Sequence, residues 1–244
     1  MRVLHITDTH LFSDENSVQA KIHYENFINA LSHFNANRNI FNVDRIIVTG
    51  DISHDGGTLS YELFFKNMDR LSLPYAVLPG NHDDIEHLDA AMKAAKHAVT
   101  VEQLSSASWA LFGLNSVVPG EDYGVIRKET LYKLREDLTG TACENIAIFL
   151  HHHLIPVGTP LVDVCQLMNA DDLLSICHDS PVKFIGTGHA HTLFQRKIGN
   201  ILVSVSPALC SQWENGTSTV NVVNNSGFSI ISFDENLFIE THFI

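Results

Sequence analysis

Short apolar runs rich in Val, Ile and Leu alternate with longer segments of mixed polarity over the first two thirds of the chain. Runs of this length and composition are typical of buried strands, and their alternation with helices indicates an α/β fold. The predicted strands lie at residues 2–7, 43–49, 75–78, 146–150 and 182–186, with two further strand-like runs between 99 and 115.

Apolar side chains recur every three or four positions in the segments between these strands, and this spacing predicts amphipathic helices. The helices are predicted at residues 21–38, 58–71, 84–96, 128–138 and 169–178, and residues 11–20 are predicted to form a polar loop. After Thr192 the pattern changes to short β-rich segments separated by turn residues, at 193–197, 201–205, 217–223, 228–233 and 238–243.

No linker, repeat or low-complexity tract separates the two parts of the chain. A chain of 244 residues is long enough to bury a sizeable core. We therefore expect one α/β domain spanning residues 1–244, in which a second sheet packs on the first and helices cover the outside.

The chain carries 28 acidic and 15 basic side chains, which give a net charge of −13, and the basic residues are scattered singly or in pairs. A nucleic-acid surface normally clusters Lys and Arg, so we expect no nucleic-acid partner. The four cysteines form no Cys-x-x-Cys pair, no apolar stretch is long enough to cross a membrane, and the N-terminus shows no basic and apolar leader. These features predict a cytoplasmic protein with reduced thiols and no membrane partner.

Side chains that can bind metals follow five of the apolar runs, at the places where the predicted strands end. Strand ends of an α/β sheet are where such folds assemble their sites. Imidazole, carboxylate and carboxamide groups together suit Mn, Fe, Co or Zn better than Ca. The five stretches are Asp8-Thr9-His10, Gly50-Asp51, Gly80-Asn81-His82-Asp83, His151-His152-His153 and Gly188-His189-Ala190-His191.

This set of residues predicts a phosphoesterase with two metal ions. Hydrolysis of a phosphate ester at neutral pH needs a strong nucleophile and neutralised phosphoryl oxygens, and two ions roughly 3.5–4 Å apart supply both. Asp51, a lone carboxylate after a strand and a glycine, is the natural bridge between the ions. Asp8 and His10, separated by one residue, can bind one ion, whereas His189 and His191 can each reach a different one.

The ordered set Asp-x-His, Gly-Asp, Gly-Asn-His-Asp, His and Gly-His-x-His resembles the calcineurin-like metallophosphoesterase family, from residue 2 to about residue 210. The segment Ile6-Thr7-Asp8-Thr9-His10-Leu11-Phe12 is similar to the bacterial class III cyclic nucleotide phosphodiesterases, and so are the three histidines followed by Pro156-Val157-Gly158 and Asp163. The resemblance implies a four-layer αββα sandwich with two mixed sheets between helices. It also implies hydrolysis of 3′,5′-cAMP to 5′-AMP by in-line attack of a metal-bridging hydroxide.

The resemblance also assigns metal ligands, position by position. The residues that would hold the first metal are Asp8, His10, Asp51 and His191. The residues that would hold the second metal are Asp51, Asn81, His151 and His189. The expected cofactors are two divalent or mixed-valence transition-metal ions, with Fe and Mn favoured over Zn and Co.

Catalytic and substrate-binding roles follow from the same resemblance. His82, next to Asn81, would protonate the departing alkoxide, and either Asp55 or Asp83 would orient it. Apart from the resemblance, His152 would face the substrate phosphate, support the metal ligands from behind or be a partly exposed loop imidazole. The predicted catalytic residues are thus His82, Asp55 and His152, and the predicted substrate contacts are Asn81, His82, His152 and His191.

Several residues bear on the substrate. Asp163 would contact substrate, reach a partner or cap a turn. Trp213 would either stack on a base or pack against the protein, whereas Trp109 is expected in the core. Leu154 stands where the similar branch usually has proline. The chain ends at Ile244, so we expect it to lack a C-terminal segment that shapes the pocket or a dimer contact in relatives.

The expected partner is a small phosphoester, and a homodimer is compatible with the sequence. A 2′,3′-cyclic nucleotide, a glycerophosphodiester or a phosphomonoester remains an alternative to 3′,5′-cAMP, because metal ions contact only the phosphate. The loops at residues 12–20, 116–124 and 156–166 are expected to decide between them. A non-catalytic scaffold of the same fold is an alternative from another class, and the complete ligand set argues against it.

Overall fold

Helices and strands alternate as far as the sixth strand, and the remaining part of the chain is mostly strands. The computed structural model describes residues 1–14, 16–234 and 236–244. The helices are α1 (Val18–Ala36), α2 (Arg38–Phe41), α3 (Thr58–Asp69), α4 (Ile85–Ala94), α5 (Lys128–Gly140), α6 (Pro160–Asp163) and α7 (Ala170–His178). Within the described ranges, none of them combines the length and the apolar character that crossing a membrane requires.

Two five-stranded sheets contain most of the strands. The strands are β1 (Arg2–Ile6), β2 (Arg45–Thr49), β3 (Tyr75–Leu78), β4 (Ala110–Gly113), β5 (Ile146–Phe149), β6 (Val182–Thr187), β7 (Phe194–Ile198), β8 (Ile201–Val205), β9 (Gln212–Trp213), β10 (Val222–Val223), β11 (Gly227–Ser232) and β12 (Phe238–Phe243). The first sheet has the order β12-β11-β1-β2-β3, with β11 antiparallel to both neighbours. The second has the order β4-β5-β6-β8-β7, with β7 antiparallel to β8, while β9 and β10 pair as a separate hairpin.

Side chains alternate between the two faces of each strand, and this alternation builds the layers. In β1, Leu4 and Ile6 share a core with Phe27 of α1 and Phe64 of α3, whereas Val3 belongs to the core between the two sheets. On the far side, β5 and β6 pack against α5 and α7. Helices, sheet, sheet and helices therefore form four layers, which confirms the predicted αββα sandwich.

The segment 99–104 differs from its prediction as a strand. Its last three residues, Glu102–Leu104, form a 3-10 turn, because Thr100 and Gln103 exchange hydrogen bonds between side chain and backbone, with N···O distances of 2.9 and 3.4 Å. Of the two strand-like runs predicted between 99 and 115, only β4 is a strand.

Two further boundaries differ from the prediction. Helix α1 begins at Val18, inside the predicted loop, because the Ser17 hydroxyl accepts a hydrogen bond from the amide of Ala20 at 3.0 Å and caps the first turn. Of the predicted strand 217–223, only Val222–Val223 is a strand, because its partner β9 is two residues long.

The carboxyl ends of β1, β2, β5 and β6 meet at one edge of the sandwich. The amide of Asp8 donates to the carbonyl oxygen of Gly50 at 3.1 Å, and the amide of Gly188 donates to that of His151 at 2.9 Å. The two sheets are joined there by Nδ1 of His151, which donates to the carbonyl oxygen of Thr49 at 2.7 Å. The predicted metal-binding stretches therefore lie at a shared edge.

Candidate metal centre

Five of the seven predicted metal ligands have a left-handed backbone conformation. Among the described residues, Asn42 and Ser72 are the other non-glycine residues with positive φ. Such a conformation costs of the order of 1–3 kcal/mol per residue and concentrates at functional sites. It turns the chain sharply after each strand, so that side chains one residue apart point into one space. The five residues are Asp8 (54°), His10 (43°), Asp51 (50°), His189 (68°) and His191 (45°).

Asp8, His10, Asp51 and His191 form a first buried cluster. Nε2 of His10 lies 3.2 Å from Nε2 of His191 and 3.4 Å from Oδ2 of Asp51. Nε2 of His191 lies 3.4 Å from Oδ1 of Asp8. Four ligand atoms from three loops thus surround one point.

Asn81, His151 and His189 form a second cluster with the same aspartate. Oδ1 of Asn81 lies 3.0 Å from Nε2 of His151 and 3.1 Å from Nδ1 of His189, and these two nitrogens are 3.2 Å apart. Oδ2 of Asp51 lies 3.4 Å from Nε2 of His151. One oxygen of Asp51 therefore borders both clusters.

The donor and acceptor pattern fits metal ions. Nδ1 of His151 donates to the carbonyl oxygen of Thr49, and Nδ1 of His191 donates to that of Ser211 at 2.9 Å, so Nε2 is in each ring the nitrogen that faces the cluster and would bind an ion in place of a proton. Among the residues that the structure describes, Oδ1 of Asp8 is buried without a hydrogen-bond partner. Buried carboxylates and ring nitrogens that converge in this way need positive charge between them, and these ligand types suit Mn, Fe, Co or Zn.

The charges of the two clusters are strongly linked. Burial raises the pKa of Asp51, but the imidazoles of His151 and His10 outweigh this effect and hold that pKa well below its usual value. Burial lowers the pKa of His151, but the Asp51 carboxylate outweighs it and raises the pKa to about 9. Asp51 is therefore ionised at neutral pH, as a bridging ligand must be.

His82 lies at the exposed border of the first cluster. Its backbone amide donates to Oδ1 of Asp51 at 3.0 Å, and its ring lies edge-on to the ring of His10, with 4.7 Å between centroids. Nδ1 of His82 donates to the carbonyl oxygen of His54 at 3.1 Å. The backbone of residue 54 therefore orients His82.

The prediction that Asp55 or Asp83 orients His82 needs correction. Asp55 accepts hydrogen bonds from the amides of Ser13 and Gly57 at 2.9 and 3.1 Å and shapes that loop. Asp83 is buried beneath the site, where it accepts from the amides of Ser53 and Gly80 at 3.0 and 2.9 Å. Each carboxylate accepts hydrogen bonds from backbone amides, and in the described part of the chain the His82 ring forms no hydrogen bond with either of them.

His152 also differs from its prediction as a catalytic residue and substrate contact. Its Nδ1 pairs with the hydroxyl of Ser116 at 2.8 Å, and its Nε2 donates to the carbonyl oxygen of Asp122 at 3.2 Å. Burial, together with the charge of His151, lowers the pKa of His152 to about 3, so the ring is neutral. The structure gives His152 a supporting position behind the second cluster.

The structure also shows where Asp163, Trp109 and Trp213 lie. Asp163 accepts from the amides of Val157 and Gly158 at 2.7 and 3.1 Å, so it caps a turn. Trp109 is 3% exposed in the core between the sheets, as predicted. Trp213 stacks on His191, with 5.0 Å between centroids and 22° between planes.

His54 is a site residue that sequence reasoning assigned to the core or surface. Its Nδ1 lies 3.3 Å from Nδ1 of His10, and its ring stacks between Phe12 and His82 with centroid distances of 4.3 and 5.2 Å. The sequence feature that could have placed His54 at the site is its position three residues after Asp51.

A cleft of about 770 Å³ opens over the two clusters. Its floor includes His10, Asp51, Asn81, His189 and His191. Its wall is formed by α1, α6 and the β9–β10 hairpin. The hairpin was not among the three loops predicted to shape the pocket.

Comparison with known proteins identifies the family. Residues 1–193 match the calcineurin-like phosphoesterase family. The chain belongs to this family. Calcineurin-like phosphoesterases are hydrolases, and this family of metallophosphoesterases implies divalent metal ions.

Sequence relatives of this calcineurin-like phosphoesterase have names that refer to cyclic nucleotides. A probable cyclic nucleotide phosphodiesterase of Xenorhabdus bovienii is 36% identical, with 98% of each chain covered. The 3′,5′-cyclic adenosine monophosphate phosphodiesterase of Vibrio vulnificus is 32% identical over 88% of this chain and 78% of that protein. The enzyme of the same name from Escherichia coli K12 is 27% identical with the same coverage.

Solved structures share the fold at low sequence identity. A dimetal phosphatase from Danio rerio superimposes with a TM-score of 0.71 at 12% identity, covering 99% of this chain and 95% of that one. GAP50 of Plasmodium, described as the anchor in the inner membrane complex, gives a TM-score of 0.68 at 14% identity, covering 100% and 84%. These similarities establish the metallophosphoesterase fold alone.

Proposed function

We propose that this protein, acting as one domain over residues 1–244, hydrolyses 3′,5′-cAMP to 5′-AMP at a site for two transition-metal ions. The observation that carries the proposal is the position of Asp51, whose Oδ2 lies 3.4 Å from Nε2 of both His10 and His151. A carboxylate between two sets of buried nitrogen and oxygen ligands is what a pair of ions requires.

The ligand sets of the proposal follow the two clusters. The first ion would be held by Asp8, His10, Asp51 and His191. The second would be held by Asp51, Asn81, His151 and His189. When bound, Fe or Mn (with Zn or Co as alternatives) would lower the pKa of an attacking water and neutralise charge on the phosphoryl oxygens.

His82 is the proposed proton donor. Its Nδ1 donates to the carbonyl oxygen of His54, which leaves Nε2 as the nitrogen that can act on substrate. As the bond between phosphorus and the ring oxygen O3′ breaks, Nε2–H of the imidazolium would give its proton to that oxygen. Asn81 and His191 would border the phosphate, and both line the cleft.

The substrate of the proposal rests on the relatives. Two of them, from Vibrio vulnificus and Escherichia coli, are named for 3′,5′-cAMP, and each of these matches includes 88% of this chain. The Xenorhabdus bovienii relative covers the chain more fully and is named for cyclic nucleotides in general. These names favour a cyclic nucleotide over the other phosphoesters.

The test is hydrolysis of 3′,5′-cAMP by Mn-loaded protein, with bis(p-nitrophenyl) phosphate measured in parallel. We expect turnover of both substrates, and Asp51→Asn should abolish both and lower the bound metal. Asp137→Asn, on the exposed side of α5 where Asp137 pairs with Lys133, is the matched control and should change neither. Turnover of the aryl diester alone would redirect the search to another ester, and turnover of neither would contradict the proposal.

A further inference from the structure

The cleft above the metal-binding clusters has one apolar wall. The wall is formed by Val18 and Ile22 of α1, Leu161 of α6, and Val220 and Val222 of the β9–β10 hairpin. Val18, Val220 and Val222 are 75%, 67% and 54% exposed. Exposed valines on neighbouring elements around a polar floor indicate a surface that a bound molecule covers.

The hairpin is a fixed part of the site. The amide of Leu161 donates to the carbonyl oxygen of Thr217 at 3.0 Å, and the amide of Gly216 donates to the hydroxyl of Thr159 at 3.2 Å. At its base, the amide of Trp213 donates to the carbonyl oxygen of His191 at 2.9 Å. These bonds place the apolar wall in a defined position beside the proposed metal ligand His191.

The cleft also lacks positively charged Lys and Arg side chains among its described lining residues. Among these residues, Asp122 contributes negative charge outside the proposed metal ligands. A phosphodiester carries one negative charge at neutral pH, whereas a phosphomonoester carries about −1.5 to −2. The two proposed ions would contact the phosphoryl oxygens of either ester, so the esters differ in the second charge of the monoester. That charge normally pairs with Arg or Lys, and the described lining offers neither.

We propose that the apolar wall binds the nucleoside part of a singly charged cyclic phosphodiester, and that a cleft without Lys or Arg among its described lining residues selects against phosphomonoesters. The inference deepens the proposed function and rests on it. Ring opening converts a cyclic monoanion into a monoester with more negative charge, so the same cleft would release 5′-AMP instead of degrading it.

The first test uses adenosine, which presents a nucleoside without phosphate. In Mn-loaded protein, the double variant Val220→Ser/Val222→Ser should bind adenosine about tenfold more weakly by calorimetry and raise KM for 3′,5′-cAMP about tenfold at unchanged kcat. Val223→Ser is the matched control, because Val223 is adjacent on β10, 45% exposed, and outside the cleft lining. Equal adenosine binding by wild type and double variant would overturn the proposed nucleoside site.

The second test concerns charge. Wild-type kcat/KM should be at least about 100-fold lower for p-nitrophenyl phosphate than for bis(p-nitrophenyl) phosphate. Val222→Lys should raise the monoester value about tenfold, and Val223→Lys should leave it unchanged. Equal rates on the two esters in wild type would overturn the selection by charge. Absence of turnover on every ester would contradict the proposed function. The adenosine measurement would then still test whether the apolar wall binds a nucleoside.

Discussion

Nδ1 of His54 lies 3.3 Å from Nδ1 of His10, on the side of the His10 ring opposite to the nitrogen that faces Asp51. The carbonyl oxygen of His54 also accepts from Nδ1 of His82 at 3.1 Å. Residue 54 thus contacts a proposed metal ligand through its side chain and the proposed proton donor through its backbone. These two contacts can be separated by substitution.

His54→Phe should weaken metal binding and leave the orientation of His82 intact. Phenylalanine keeps a ring between Phe12 and His82 and the carbonyl oxygen at residue 54, but it removes the acceptor that faces His10. Loss of such a partner typically lowers metal affinity by about 10–100-fold. Metal titration followed by calorimetry measures this change.

The control for this variant is His87→Phe, because the His87 ring is exposed and contacts the carbonyl oxygen of Gly56 instead of a proposed ligand. We expect wild-type metal affinity for the control. Wild-type affinity in His54→Phe as well would show that His54 does not support His10.

His82→Ala should slow hydrolysis in proportion to how poor the leaving group is. Its side chain is outside both ligand clusters, and alanine retains the backbone amide that donates to Asp51. We expect unchanged metal content and a loss of about 10²–10⁴-fold in kcat for 3′,5′-cAMP, with a much smaller loss for bis(p-nitrophenyl) phosphate, whose leaving group needs no proton. Equal losses on both substrates would exclude the proton-donor role.

Gly188→Ala should destabilise the protein and disturb Asp8. A Cβ at residue 188 would lie 2.7 Å from Oδ2 of Asp8 and would also collide with the hydroxyl of Thr7, which donates to that oxygen. We expect a loss of about 1–3 kcal/mol in the free energy of unfolding, measured with urea, and weaker metal binding. Gly140→Ala is the control, because a Cβ there meets no atom of the described residues within 4 Å. Equal stability of the two variants would refute the clash.

His5 should make folding sensitive to acid. Burial lowers the pKa of His5 from its ordinary 6.5 to about 3, against a smaller opposite effect of Asp8. Below pH 6.5 the unfolded chain therefore binds a proton that the folded chain excludes. The contribution to stability is complete above pH 6.5 and falls as the pH decreases towards 3, by about 2 kcal/mol at pH 5.

His5→Gln should remove this part of the pH dependence and keep a polar partner for Thr49, whose hydroxyl lies 2.9 Å from Nε2 of His5. Urea unfolding at pH 7 and pH 5 measures the difference. His178→Gln, at an exposed position on α7, should behave like wild type. The explanation fails if His5→Gln loses as much stability on acidification as wild type does.

Most of the layer architecture could be predicted because its signals are local. The run Val3–Ile6 is apolar at every position but His5, and the structure places its side chains alternately between the sheets and under the helices. The short length of the hairpin strand at Val222–Val223 could not be predicted, because the preceding residues Gly216 and Thr217 are held by hydrogen bonds with Thr159 and Leu161, which are distant in the chain.

The sequence by itself determined which side chains follow the strands, and hence the donor types of the proposed metal site. Tertiary structure alone decided that one oxygen of Asp51 borders both clusters and that a hairpin forms the apolar wall. It also decided that, among the described residues, the carbonyl oxygen of His54 and neither Asp55 nor Asp83 accepts a hydrogen bond from the His82 ring. The physical reason is the range of the interactions. Hydrophobic periodicity and turn chemistry act over a few residues, whereas distances between atoms from different loops depend on how the two sheets pack.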